Sequence, residues 1–295
     1  MRFDPNQLRA LASILRLGSF EAAASELAVT QSAVSQRIRA LEERVGTSLI
    51  ERGTPCSGTP AGVRIAKHAE DVGLLEAQLS RDLSLDTRTG PTRLRIAVNA
   101  DSLATWFVDA MAQVEGVLFD LVLDDQDHSA DWLRRGAVSA AICAGDKPVP
   151  GCDATPLGSL RYLATASPAF HARWFQHGVT AKTLSQAPCI TFNRKDELQR
   201  IWIERAVAQR ITPPTHFLPS THAFVDAARV GLGWGMNPEP LVQRPVREGQ
   251  LVTLLANQPL DIALSWQVSR VMAPALAPLT RAVKQAAQDG LISTV

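Results

Sequence analysis

The sequence of 295 residues has little cysteine, no charge excess and no long apolar run. Its four cysteines, Cys56, Cys143, Cys152 and Cys189, are too few and too scattered for a disulfide framework. None forms a C-x-x-C pair and no histidine cluster lies near one, so no metal site is expected and single buried thiols are the simpler reading. Formal net charge is only +1, so any attraction to nucleic acid must come from where charge is placed and not from its total. No stretch approaches the ~18 apolar residues of a membrane span. The opening M-R-F-D-P-N-Q-L lacks the apolar core of a signal peptide, and a cytoplasmic protein is expected. Repeats and low-complexity tracts are missing too. The one glycine-rich candidate, G-L-G-W-G at 231–235, runs into a strand instead of joining a strand to a helix, and no G-x-S-x-G elbow exists. Nothing suggests an enzyme, a catalytic residue or a cofactor.

What the chain does contain is helical periodicity at its start. Leu8, Leu11, Ile14 and Leu15 recur at helical spacing over residues 5–17, and Gly18 stops them. Ser19 caps a second helix with Phe20, Ala23, Ala24 and Leu27 inward, and after a short turn Thr30 caps a third, ended by Gly46. Two helices joined by a tight turn, with small residues at their crossing, predict a helix-turn-helix over 19–38. On the third helix Ser32, Ser35, Gln36 and Arg39 share one face, flanked by Gln31 and Arg37. Such a helix fits the major groove, where Gln reads adenine and Arg reads guanine or phosphate. A merely solvated polar face is the alternative. Residues 30–66 hold five arginines (Arg37, Arg39, Arg44, Arg52, Arg64) against three acids (Glu42, Glu43, Glu51). An excess of two grips DNA weakly, so two or more copies on repeated half-sites are expected.

Residues 47–60 read as a short wing, with Arg52 facing DNA, and Thr59-Pro60 opens a fourth helix running to about Leu85. Val72, Leu75, Leu79 and Leu83 form an apolar stripe suited to a second copy of the chain. D-T-R-T-G-P-T at 86–92 is a linker. Beyond it strands and helices alternate, which predicts parallel sheets with flanking helices.

The segment F-x-x-A-A-x-x-L-x-V-T-Q-S-A-V-S-Q-R-I-x-x-L-E, residues 20–42, resembles the LysR-type transcriptional regulators. G-T-S-L-I-E-R and T-P-A-G match that family's wing and linker-helix start. A-V-N-A-D-S-L-A-T-W, L-R-R-G and A-F-V-D-A-A-R-x-G are similar to its lysine- and arginine-sensing subgroup, called ArgP or LysG. The resemblance implies an all-α winged helix-turn-helix over 1–58, with Thr59 at its DNA-facing end, and a linker and dimerisation helix over 59–88. It further implies an α/β two-lobed effector domain like the periplasmic binding proteins over 89–295 (lobe I about 92–160 and 267–295, lobe II about 161–266). Its partners would be double-stranded DNA, lysine or arginine, a homodimer or homotetramer, and RNA polymerase, with control of a basic-amino-acid exporter or metabolism gene.

Ligands of such domains sit where strand ends meet helix starts. Ser102 there suits an α-carboxylate, and Asp101, Asp124 and Asp125 a side-chain cation; ordinary capping aspartates are the alternative. Gln126 aligns with an effector-contacting position of the family. From the second lobe Asn193, Ser220 and Thr221 join the candidates, and Trp106 would stack on a cationic stem. Arg194 and Lys195 depart from the subgroup pattern and put the effector's identity in question. The competing readings are a regulator with another effector, a ligand-independent DNA-binding protein or replication inhibitor, and a solute receptor with a helical extension.

Overall fold

The computed structural model describes residues 2–84, 92–124 and 129–293, and the side chain of Asp124 is outside that description. The first module is three helices and a wing. α1 (Pro5–Leu17) starts at Asp4, whose carboxylate accepts from the Asn6 and Gln7 amides, and ends at Gly18 in the left-handed conformation. α2 (Phe20–Glu26) is capped by Ser19 and α3 (Gln31–Val45) by Thr30. Leu11, Ile14, Ala23, Val34, Ile38 and Leu41 close a core among the three helices. Ala23 is fully buried, as a close helix crossing requires. The wing is a two-stranded antiparallel hairpin, β1 (Ile50–Glu51) with β2 (Ser57–Gly58).

α4 (Pro60–Asp82) follows directly, with Thr59 as its cap. The expectation that it runs to about Leu85 is cut back to Asp82, and of the linker expected at 86–92 residues 86–91 lie outside the described residues while Thr92 begins a strand. Gly62 on its first turn is buried against the wing. A methyl group there would sit 1.9 Å from the Leu49 carbonyl oxygen. Backbone cannot yield that far, so Gly62→Ala is expected to cost about 3 kcal/mol. Differential scanning calorimetry of the full chain should show the transition of the DNA-binding module lowered.

One side of α4 packs inward through Ala66, Lys67 and Leu74. The Lys67 ammonium is 7% exposed, pairs with Asp71 and donates to Ser139 Oγ of the following domain at 2.7 Å. Ser139 Oγ in turn donates to Asp71 at 2.9 Å. The other side leaves Leu75, Leu79 and Leu83 exposed, with Val72 half-buried.

The second module is organised on one seven-stranded sheet. β3 (Thr92–Asn99) lies between β4 (Val117–Asp124) and β5 (Ala140–Ala144), parallel to both. The expected all-parallel arrangement ends there. β6 (Cys152–Ala166) and β11 (Leu260–Ser269) are long and antiparallel, and β11 also runs antiparallel to β5. Short strands β9 (Gly235–Pro238) and β10 (Val252–Thr253) add to β6, also antiparallel. β6 reads as broken in the sequence because Pro156 and Gly158 interrupt it. In the fold they flank a bulge, where the register with β11 shifts between Leu264 and Ser265.

α5 (Ala100–Thr105), α6 (Phe107–Ala112), α7 (Ser129–Arg134) and the last helix, α13 (Ala277–Gly290), belong to lobe I. Lobe II carries α8 (Pro168–Trp174), α9 (Ala181–Gln186) and α10 (Leu198–Val207), with α11 (Thr221–Arg229), α12 (Glu239–Arg247) and the parallel pair β7 (Cys189–Thr191) and β8 (Thr215–Phe217). Strands β6 and β11 run through both lobes, so the lobes share a spine.

Candidate functional site

Two surfaces carry the candidate residues. On α3 the inward positions Val34, Ile38 and Leu41 are buried, which leaves Gln31, Ser32, Ser35, Gln36 and Arg39 exposed on the opposite side. Arg52 is exposed on the wing. Arg37 is half-buried beside this face. Thr59 is a structural cap: its hydroxyl donates to Ser48 O at 2.8 Å and accepts from Gly62 N at 3.1 Å. Both hydrogen-bonding roles serve the junction of wing and α4, so the expected DNA contact by its side chain has no free hydroxyl behind it. Ser32 Oγ lies 3.0 Å from Thr30 Oγ1 at the helix start.

The second surface lies between the lobes. Asn99 ends β3 and caps α5, accepting from Ser102 N at 2.6 Å. This turn aims Asp101 across the gap. Its Oδ2 accepts from the Tyr162 hydroxyl at 2.8 Å and its Oδ1 from the Thr221 hydroxyl, on the first turn of α11, also at 2.8 Å. One carboxylate thus ties the two lobes. Asp196, on the loop before α10, approaches the same place from lobe II and accepts from the Phe192 and Leu198 amides at 3.0 Å each. Phe192, Leu198, Phe224 and Met236 wall the cavity that holds both carboxylates. Its volume is about 20 Å³, room for little more than a water molecule.

Burial pushes the Asp101 carboxyl above the ordinary aspartate range; the hydroxyls of Tyr162 and Thr221 oppose that push, and the charge of Asp196 adds to it. Burial raises Asp196 as well, against the Phe192 and Leu198 amides and the Gln199 side chain that favour its charged form, and the charge of Glu197 adds to the rise. Two carboxyls held up by burial, one of them also by the charge of the other, want a cation between them.

The sequence-derived candidates separate on this geometry. Asp101 and Thr221 come together. Ser102 is fully buried, and its hydroxyl has no partner among the described residues. Asn193 turns back on its own loop, accepting from Lys195 N at 2.7 Å, and lines a different cavity. Ser220 caps α11. Trp106 is corrected outright: it is 2% exposed, edge-on to Phe107 and against Gly290 of α13, so its ring belongs to the core and cannot stack on a ligand. Trp266 is core too, donating to Thr280 Oγ1 at 3.0 Å. Asp124 stands opposite Asn99 at the end of β4, while Asp125 and Gln126 fall outside the described residues. Arg194 stacks on Phe217 at 5.1 Å and does not line the cavity between the lobes. Tyr162 and Asp196 are the residues that sequence reasoning misses. Asp196 follows Arg194 and Lys195, whose positive charge draws attention from it, yet a helix-opening aspartate was the available signal.

Comparison with known proteins joins both surfaces. Residues 5–63 match the bacterial regulatory helix-turn-helix protein, lysR family, and residues 88–288 match the LysR substrate binding domain. The HTH-type transcriptional regulator LysG of Mycobacterium tuberculosis is 44% identical over 286 residues, spanning 97% of this chain and 94% of that protein. The crystal structure of ArgP from Mycobacterium tuberculosis superposes with a TM-score of 0.81 at 42% identity, covering 99% of this chain and 100% of the other. Full-length LysG from Corynebacterium glutamicum with bound effector arginine gives a TM-score of 0.67 at 36% identity, over 98% of this chain and 99% of that one. With its winged helix-turn-helix, long connecting helix and two-lobed α/β domain, the chain belongs to the LysR family of DNA-binding transcriptional regulators.

Proposed function

We propose that this regulator responds to a basic amino acid, lysine or arginine, held between the lobes by Asp101 and Asp196. The observation that carries the reading is the pair of carboxyls in one cavity, with no cation paired to either among the described residues. An arginine-bound relative of the same architecture supports it. On the lobe I side, we propose that Ser102 and the acidic segment Asp124, Asp125 and Gln126 complete the ligand's surroundings. The α-carboxylate is met by Ser102 and the turn at the start of α5.

On DNA, Gln31, Ser32, Ser35, Gln36 and Arg39 enter the major groove, while Arg37 and Arg52 meet the backbone. The exposed leucines of α4 pair two copies, and two such pairs make a tetramer, so that several weakly basic modules bind together. RNA polymerase is the partner through which a bound tetramer alters transcription, and a basic-amino-acid exporter or metabolism gene is the target. A gel shift and footprint on the DNA upstream of the chain's own gene tests the reading. Saturating arginine or lysine should change the protected segment and leucine should not. An unchanged footprint would remove the effector role.

A pH dependence follows. Both carboxyls sit above their ordinary value of 3.8. Over the interval from that value up to the raised ones the folded, ligand-free protein binds more protons than the unfolded chain, so its stability falls as pH rises through the interval. A cationic ligand needs the charged carboxylates, so its affinity rises over the same interval and its binding releases protons. Arginine should therefore raise the thermal midpoint by more as pH climbs through that interval, and Asp101→Asn should flatten the trend. A trend that stays the same in Asp101→Asn would mean that Asp101 does not face the cation.

A further inference from the structure

The loop 192–198 has a second face. Asp196 lines the cavity between the lobes, and it also lines a separate cavity of about 250 Å³ within lobe II, between β7, β8 and α10. We infer that this second cavity is a binding site for a zwitterionic α-amino acid with an aliphatic side chain, and that its occupant works against the basic effector.

Among the described residues the floor of the cavity holds a carboxyl without a cation and a buried acceptor without a partner. Gln199 is 4% exposed; its Nε2 donates to Ile190 O at 2.9 Å, and its Oε1 is buried with no donor. Its side chain also hydrogen-bonds Asp196, which among the described residues meets this amide and two backbone amides but no cation. An ammonium group has three N–H bonds and a full charge, and it satisfies both acceptors at once. Towards the solvent stands Arg194, whose guanidinium rests on the Phe217 ring and meets no carboxylate among the described residues. That leaves its N–H fork for a ligand carboxylate. The other charges of this wall cancel, because Arg200 is paired with Glu197 and Glu204. Ile203 and Ile211 supply the apolar part of the lining. Cation acceptors inside, an anion receptor at the mouth and an apolar wall describe a neutral amino acid. The volume lies just below the ~300 Å³ at which drug-sized pockets begin, as suits a single small metabolite.

Asp196 belongs to both cavities, so an ammonium held on one side withdraws part of its charge from a cation on the other. The coupling is reciprocal and negative. The site itself does not depend on the effector reading above, whereas the antagonism does.

Equilibrium dialysis of the full-length protein with labelled L-leucine, L-isoleucine and L-valine tests the site, with labelled L-arginine as the second ligand. At least one aliphatic amino acid should bind once per chain to wild type and to Asp101→Asn. Arg194→Ala should weaken that binding at least about tenfold while leaving arginine affinity unchanged. Saturating aliphatic ligand should lower arginine affinity about fivefold or more and then reach a plateau, the mark of two sites. Binding of none of the three, retention of binding in Arg194→Ala, or unlimited competition with arginine would overturn the inference. Arginine failing to bind while leucine binds through Arg194 would instead remove the effector reading and the antagonism, and leave the site standing.

Discussion

Replacing Gln36 and Arg39 together by alanine should weaken binding to the operator about a thousandfold. Both side chains are exposed on the α3 face opposite Val34, Ile38 and Leu41. Each contact of this kind to a base is worth ~1–3 kcal/mol, and a dimer makes it twice. Two residues on two half-sites therefore amount to about 4 kcal/mol at the low end, or about three powers of ten. The folded state should not notice, because neither residue packs on the core. A quantitative gel shift at fixed salt reads the loss, and calorimetry should show an unchanged unfolding temperature. Wild-type affinity in the double variant would mean that this side of α3 does not meet DNA, and the proposed docking of the module would fail with it.

Asp101→Asn should nearly abolish the response to arginine. The substitution keeps the shape and both hydroxyl partners, Tyr162 and Thr221, since a hydroxyl can turn to accept from the new amide. It removes the charge. Leaving one partner of a buried, hydrogen-bonded charge pair uncompensated costs ~2–5 kcal/mol, so arginine should bind at least about 30-fold more weakly. The ligand-free variant should be at least as stable as wild type near neutral pH, because a charge pushed upward by burial has been removed. Titration calorimetry gives the affinity and a melting series without ligand gives the stability. Full arginine affinity in the variant would place the cation elsewhere, beginning with Asp196 alone.

How far the sequence discloses this molecule depends on how local each feature is. The three N-terminal helices are legible because their signals lie within a few residues: Ser19 and Thr30 as caps, Gly18 and Gly46 as stops, and the apolar spacing between. The wing and α4 follow from Thr59-Pro60 for the same reason. The sheet is another matter. β6 pairs with β11 about a hundred residues away, and the bulge around Pro156 to Gly158 makes one long strand look like loop and strand. Alternation of strands and helices therefore suggests parallel pairing throughout, which is true of β3, β4 and β5 but not of the strands that join the lobes.

The site divides likewise. Asp101 is legible as a strand-end acid before a helix. Asp196 and Tyr162 meet it only through tertiary folding, and no spacing in the chain announces that. Trp106 shows the opposite error: a residue whose chemistry suits a cation, placed by the fold where no cation can reach.

The Lys67 ammonium, shared between Asp71 of α4 and Ser139 of lobe I, has a mechanical consequence. Separating α4 from lobe I would leave the Lys67–Asp71 pair together on the helix but break both charged hydrogen bonds to Ser139, at a cost of ~1.5–3 kcal/mol each. Stalk and upper lobe are therefore geared together as one lever arm. A movement of lobe II about the cleft would therefore reach the stalk through lobe I, to which the stalk is fastened.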